Sequence, residues 1–295
     1  MQQIAKRDVK SLARTISFIE NEQEGYQDLL LALPPGRAVV VGITGPPGAG
    51  KSTLTDALIG AMVNNGKRVA VICVDPSSPF NLGAVLGDRI RMSQWYLHPD
   101  VYIRSLATRG SLGGLHPMII EITDVIRSAG FDFIIVETVG VGQSEVEIAG
   151  LADVTVVVAV PEAGDEIQTM KAGLMEIADI FVVNKADRPD ADRFVKNLRL
   201  MLAPAFSNRE QAIPIIKTIA HEGTGLDELY TAIQQAQDEG ADSSQRKLWL
   251  LTERAYHLIQ KNRMKTLGKT ELKNVIEAKL HNQTFNLYEL VRELG

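Results

Sequence analysis

The sequence predicts an α/β protein, with a mostly parallel sheet covered by helices on both faces and helical extensions at its N- and C-terminal ends. Three observations predict it. Short runs rich in Val and Ile recur between residues 38 and 217. Helical patterns lie between most of these runs. One run, Val39–Thr44, leads into a glycine-rich turn that opens a helix. Strands that are apolar throughout, rather than alternating, are buried on both faces, as in a parallel sheet between helical layers.

Each element follows in order. Residues 1–36 read as an N-terminal helical extension, with Leu12, Ile16 and Ile19, and later Leu29 and Leu30, at helical intervals until "PPGR" at 34–37 stops the pattern. Residues 37–238 carry the expected strands "AVVVGIT" (38–44), "RVAVICV" (68–74), "DFIIVE" (132–137), "VTVVVAV" (154–160), "IFVVN" (180–184) and "AIPIIK" (212–217). After "QDEGADSSQ" at 237–245 the strand signal ends, and residues 239–295 read as a helical arm. That arm carries Leu248, Trp249, Leu250, Leu251, Tyr256, Leu258 and Ile259, more apolar surface than a lone tail should expose, which predicts a homodimer built on it.

Composition bounds the function. A chain of 295 residues with 45% hydrophobic and 23% charged residues fits one soluble domain with attachments. A net charge of −5, with both signs spread along the chain, shows no nucleic-acid footprint. Cys73 is the one cysteine, so neither an internal disulfide nor a CxxC metal site is expected, and a reducing compartment suits it. No apolar run reaches membrane-spanning length and the first 25 residues are too polar for a signal peptide, so the expectation is a cytoplasmic protein without a membrane partner.

The turn "GPPGAGKS", Gly45–Ser52, matches G-x-x-x-x-G-K-[ST]. With a strand before it and a helix after it, it predicts a P-loop NTPase. Gly45, Pro47, Gly48, Ala49 and Gly50 would form the wrap around the phosphates. The amides of residues 48–53, Thr53 among them, would face the anion from a helix N-terminus. Lys51 would reach the β and γ oxygens, and Ser52 would offer its hydroxyl to Mg²⁺.

The base is read from "FVVNKAD", which ends a strand at Asn184, Lys185, Ala186 and Asp187. Asp187 can accept from both N1–H and the 2-amino group of guanine, a donor pair that adenine lacks. Lys185 would lie over the base plane, and Asn184 would tie this loop to the phosphate loop. In "TIAHEGTG", residues 218–225, the Ala220 amide is placed to meet the guanine oxygen. The expected ligands are therefore GTP and GDP.

Acids gather at strand tips. Asp75 ends the second expected strand, Asp88 and Arg91 lie on "GDRIRM" after it, and Glu137 ends "FIIVE" before Gly140, Gly142 and Gln143. Few protein acids around one triphosphate suit Mg²⁺, which keeps several waters. Ser52, Asp75, Asp88 and Glu137 are the candidate metal residues. Gly140 could approach the γ-phosphate with its amide, and the residues flanking it could move when that phosphate leaves. Gln143 is the one glutamine near enough in sequence to orient water.

These residues carry a resemblance. "LARTISFIEN", "GITGPPGAGKSTL", "VDPSSP", "GDRIRM", "ETVGVGQSE", "PEAGDEIQTMKAGLMEIADI" and "NKAD" occur in this order across residues 9–235. The chain resembles the methylmalonyl-CoA mutase-associated GTPases of the MeaB/ArgK type. That resemblance implies a G-protein chaperone of an adenosylcobalamin-dependent acyl-CoA mutase, which gates cofactor loading and protects or reactivates the mutase. It implies a homodimer formed largely through C-terminal helices. It also implies that Asp75, Asp88 and Glu137 match metal and catalytic acids, and that Arg91 matches a switch arginine. Asp165, Gln168 and Lys171 match an additional switch that answers to the mutase. The tail and the "TIAHEG" loop fit the family pattern less closely.

What the phosphate is for follows from what the loops contain. A kinase would need an acceptor site and usually a lid, whereas these loops hold two glycine-flanked switch segments and a guanine reader. Water is then the acceptor, with charge neutralised by Mg²⁺, Lys51 and the loop amides and a low intrinsic rate raised by a partner; the resemblance adds Glu137, Asp88 and Lys171 to Lys51 as candidate catalytic residues. The alternatives are a nickel-insertion GTPase for hydrogenase or urease, and a P-loop kinase acting on a small molecule.

Overall fold

The computed structural model describes residues 8–75, 92–109, 115–138, 147–161, 172–205, 213–242, 244–264, 268–281 and 285–294. Its centre is a seven-stranded sheet in the order β3-β2-β4-β1-β5-β6-β7, every pairing parallel. The strands are β1 (Val39–Thr44), β2 (Val69–Asp75), β3 (Val101–Ala107), β4 (Phe133–Glu137), β5 (Val154–Ala159), β6 (Ile180–Asn184) and β7 (Ile215–Thr218). The helices are α1 (Val9–Glu20), α2 (Tyr26–Leu31), α3 (Lys51–Asn64), α4 (Ile119–Ser128), α5 (Ala172–Ile177), α6 (Ala191–Ala205), α7 (Leu226–Asp242), α8 (Ser244–Arg263), α9 (Lys269–His281) and α10 (Leu287–Leu294).

Every residue of β1, β2, β4, β5 and β6 is buried, as unbroken apolar runs require. One core joins Val41, Ile43, Val71 and Ile135 to Leu54, Leu58 and Ile59 of α3 and to Leu229 and Ile233 of α7. The alternate strand residues, such as Val40, Ile72 and Ile134, are equally buried toward the other face, which carries α4 and the α1 helix packed on it. Asp8 caps α1 by accepting from the amides of Lys10 at 3.1 Å and Ser11 at 3.3 Å.

The sheet differs from expectation at its edges. Val101–Ala107 was not among the expected strands, yet it pairs with β2 along its whole length. Its middle residues are only partly buried. Arg104 there donates to Ser17 Oγ at 3.1 Å and Glu20 Oε2 at 2.5 Å, so its charge is met by α1. Arg109 donates to the same Glu20 carboxylate at 3.1 Å and to the Glu20 carbonyl at 3.0 Å. The last strand runs Ile215–Thr218, later than the apolar run suggested.

Strand starts share one device. Asp132, Asp153 and Asp179 each stand immediately before a strand. Their carboxylates accept the amides of Arg68, just before β2, of Val40 in β1 and of Thr155 in β5, at 2.8, 2.8 and 2.7 Å. Their own amides donate back to the carbonyls of those same residues at 2.8 to 2.9 Å. Past β2, the short 3₁₀ turn Ser93–Trp95 is fastened to α3, because Trp95 Nε1–H donates to Asp56 Oδ1 at 2.7 Å.

The chain divides into two compact units, Met1–Lys247 and Leu248–Gly295. In the second, Asn286 caps α10 by accepting from the amides of Tyr288 and Glu289, and Lys279 pairs with Glu293 at 2.6 Å to join α9 to α10. Leu290 is buried there, while Leu287, Tyr288, Val291 and Leu294 of α10 are exposed. Among the described residues, no helix is long and apolar enough to cross a membrane.

Candidate functional site

The site forms where the connections diverge. The chain leaves β1 toward β2 on one side and leaves β5 toward β6 on the other, so the C-terminal ends of β1 and β5 flank a crevice of the kind that receives ligands in open parallel sheets. The loop Gly45–Gly50 fills its floor. Gly45 has φ 140°, and a Cβ there would stand 2.1 Å from the Val158 carbonyl oxygen, so a side chain would push the loop off β5. Gly50, at φ 86°, precedes the first residue of α3, and a Cβ would meet Asn184 Nδ2 at 2.5 Å.

Lys51 opens α3 and is buried at 7% exposure. Its ammonium donates to the Gly45 carbonyl at 2.8 Å and the Pro46 carbonyl at 3.1 Å. The charge is thus folded over the loop it belongs to, within reach of an anion seated there. Ala49 is buried, whereas Pro47, Gly48 and Thr53 face solvent.

The acids sit as strand tips. Asp75 ends β2 and Glu137 ends β4, and both are buried. Glu137 accepts from Ser52 Oγ at 2.6 Å through Oε1 and from Thr55 Oγ1 at 2.9 Å through Oε2. Beyond Glu137, the Thr138 amide donates to Ile43 at 3.0 Å and its hydroxyl to Thr44 at 3.1 Å, keeping the end of β4 level with the end of β1. Among the described residues, no group of three or more His, Cys, Asp or Glu side chains is placed to hold a metal. The oxygen donors present, the Ser52 hydroxyl and the Asp75 and Glu137 carboxylates, suit Mg²⁺, a hard cation that takes one or two carboxylates beside phosphate oxygens and water.

On the opposite side, Asn184 ends β6. Its Nδ2 donates to the Ala49 carbonyl at 3.0 Å, and its Oδ1 accepts from Thr218 Oγ1 at 3.1 Å and from the Ala220 amide at 3.3 Å. Lys185 takes the left-handed φ of 56° and donates from Nζ to the Gly48 carbonyl at 2.9 Å. Asp187 is exposed in the turn that follows. The structure therefore brings together Gly45–Ser52, Glu137, Asn184, Lys185 and Ala220 through direct bonds. It puts Asp75 at a neighbouring strand tip and Asp187 on the turn beside Lys185.

Asp88, Arg91, Gly140, Gln143, Asp165, Gln168 and Lys171 lie outside the described residues. Two residues with visible contacts here were not singled out from sequence, Thr55 and Thr218. A hydroxyl three residues after the P-loop serine, on the same helix face, was the available signal for Thr55.

The family model described as methylmalonyl Co-A mutase-associated GTPase MeaB matches residues 12–273. A putative GTPase of Pyrococcus abyssi is 48% identical over 240 residues, covering 80% of this chain and 74% of that protein. A fused isobutyryl-CoA mutase of Geobacillus kaustophilus is 33% identical over 293 residues, which is 94% of this chain and 26% of that protein. The crystal structure of a LAO/AO transport system kinase superposes with a TM-score of 0.72 at 26% identity, over 99% of this chain and 94% of that one. A phosphate loop, its hydroxyl-bound strand-tip acid and an Asn-Lys-x-Asp turn, set in a sequence matched along most of its length, place this chain in the methylmalonyl-CoA mutase-associated GTPase family, MeaB.

Proposed function

We propose that the chain binds GTP, hydrolyses it with Mg²⁺ at a low intrinsic rate, and serves as a chaperone of an adenosylcobalamin-dependent acyl-CoA mutase. In that role it gates cofactor loading and protects or reactivates the mutase, as a cytoplasmic homodimer. The observation that carries the mutase link is the fused isobutyryl-CoA mutase, one polypeptide in which a segment matching 94% of this chain lies. It makes isobutyryl-CoA mutase and methylmalonyl-CoA mutase the first partners to test.

The residues divide the work. Asp187 reads guanine, with Asn184 and Lys185 holding its turn against the phosphate loop. Lys51 leaves the Gly45 and Pro46 carbonyls for the β and γ oxygens, where its charge neutralises what develops as the terminal phosphate departs. Bound Mg²⁺ would supply further charge neutralisation. Ser52, Asp75, Asp88 and Glu137 would hold it, directly or through water. Arg91, Gln143 and the segment with Asp165, Gln168 and Lys171 couple the nucleotide state to the partner. Coupling requires only that the partner bind two arrangements with different free energy.

The test is GTP turnover with and without each mutase at saturation. Stimulation of the wild type is expected. Lys171→Ala should lose most of it, about tenfold for each ~1.4 kcal/mol removed from the transition state. If no cobalamin-dependent mutase stimulates the wild type, the chaperone reading fails. If Lys171→Ala is stimulated as fully as the wild type, the additional switch fails and the chaperone reading stands. A second reading, phosphoryl transfer to a small molecule, has the solved relative's name of kinase in its favour. It predicts a phosphorylated acceptor in place of free phosphate, and no preference for guanine.

A further inference from the structure

Thr55 has an unusual hydrogen bond for a threonine within a helix. Thr123, Thr231 and Thr252 each donate to the carbonyl four residues back, at 2.6 to 2.8 Å, the ordinary local partner for such a hydroxyl. Thr55, fully buried on α3, instead donates to Glu137 Oε2 at 2.9 Å, across 82 residues of sequence. Ser52, three residues earlier and so on the same face, donates to the other oxygen of the same carboxylate at 2.6 Å. Glu137 is 3% exposed, so these hydroxyls stand where water would otherwise solvate it.

We propose that Thr55 is a positioning residue, which fixes the Glu137 carboxylate so that the Ser52 hydroxyl presents its lone pairs to Mg²⁺. The inference rests on the GTPase reading above. A hydroxyl that ligates a cation must point its proton elsewhere, and Glu137 Oε1 receives it. A carboxylate anchored through one oxygen can still rotate about its last carbon–carbon bond. The Thr55 bond to Oε2 restrains that rotation, alongside the other contacts of Glu137, and helps hold the acceptor for Ser52 in place. Thr55 touches neither nucleotide nor cation in this account and acts through Glu137.

The experiment measures GDP affinity by calorimetry across a Mg²⁺ titration and again in EDTA, for wild type, Thr55→Val and Thr55→Ser, with thermal unfolding recorded for each. Valine keeps the shape and deletes the hydroxyl, and serine keeps the hydroxyl and deletes the methyl. Thr55→Val should match the wild type in EDTA but need about tenfold more Mg²⁺ for half-maximal effect, the scale at which groups behind a metal ligand act. Thr55→Ser should stay within about twofold of wild type. The proposal is overturned if Thr55→Val follows the wild-type Mg²⁺ curve, if Thr55→Ser is as impaired as Thr55→Val, or if Thr55→Val loses as much affinity in EDTA as in Mg²⁺. Should Thr55→Val not fold, Thr55→Ala carries the same test. A wild type that binds GDP equally with and without Mg²⁺ overturns this inference alone, and one that binds no GDP in either condition overturns the GTPase reading and this inference with it. That outcome is distinct because no variant is needed to see it.

Discussion

Asn184 shows how much one side chain carries at this site. Its amide reaches the phosphate loop at Ala49, the last strand at Thr218 and the loop after it at Ala220. Those bonds set where the next residues, Lys185 and Asp187, can stand. Asp187→Asn should therefore leave this scaffold in place and change only what the turn accepts from a base. We expect a loss of about 2–4 kcal/mol for GTP, from donors of guanine left unpaired, and a shift of preference toward xanthine nucleotides. Competition between GTP and XTP for the two proteins checks it, and an unchanged ratio would remove Asp187 from base recognition. The turn that carries Asp187 was legible in the sequence because Asn-Lys-x-Asp follows a strand and a P-loop lies upstream. Thr55 and Thr218 were not, because threonine is ordinary in helices and strands. Their roles exist only across separations of 82 and 34 residues, which no local pattern encodes.

Among elements, the three aspartates before β4, β5 and β6 act as register stops. A parallel strand entering the sheet could pair one residue out of step, which would turn its side chains to the wrong faces. A carboxylate and an amide exchanging bonds with one residue of the neighbour oppose that slip at the first rung. Asp179→Ala leaves the buried Thr155 amide without this acceptor and should cost on the order of 1–3 kcal/mol, whereas Asp179→Asn retains an oxygen and should cost less than half as much. Urea unfolding of both variants decides it, and equal losses would assign the effect to packing. The pattern also explains what was readable among the strands. β1, β2, β4, β5 and β6 are covered on both faces, so their runs are unbroken and were found. β3 is an edge strand whose Arg104 faces α1, and its polar middle reads as a loop until its partner Glu20 is in view. β7, the other edge, was placed early for a similar reason, since its exposed Lys217 interrupts the apolar run.

For the whole molecule, the unit Leu248–Gly295 exposes a series of large apolar side chains among the described residues. Leu287, Tyr288, Val291 and Leu294 are exposed along α10, and Trp249, Leu251, Tyr256 and Ile259 along α8. A stable interface buries upward of about 1,000 Å². If this surface forms the proposed dimer, Leu287→Glu combined with Val291→Glu should yield monomers by light scattering while GTP binding persists. A dimer that survives the double substitution would move the interface elsewhere. The division into two units has a practical corollary in the placement of the two tryptophans. Trp95 is hydrogen-bonded to Asp56, one turn beyond the P-loop serine, and Trp249 stands half-exposed in the second unit. Each unit thus has its own intrinsic fluorophore. Emission from a Trp249→Phe protein reports the nucleotide end alone, and emission from a Trp95→Phe protein reports the helical arm. The order of events after GTP binding can then be timed in unlabelled protein, by stopped flow, with the two signals recorded separately.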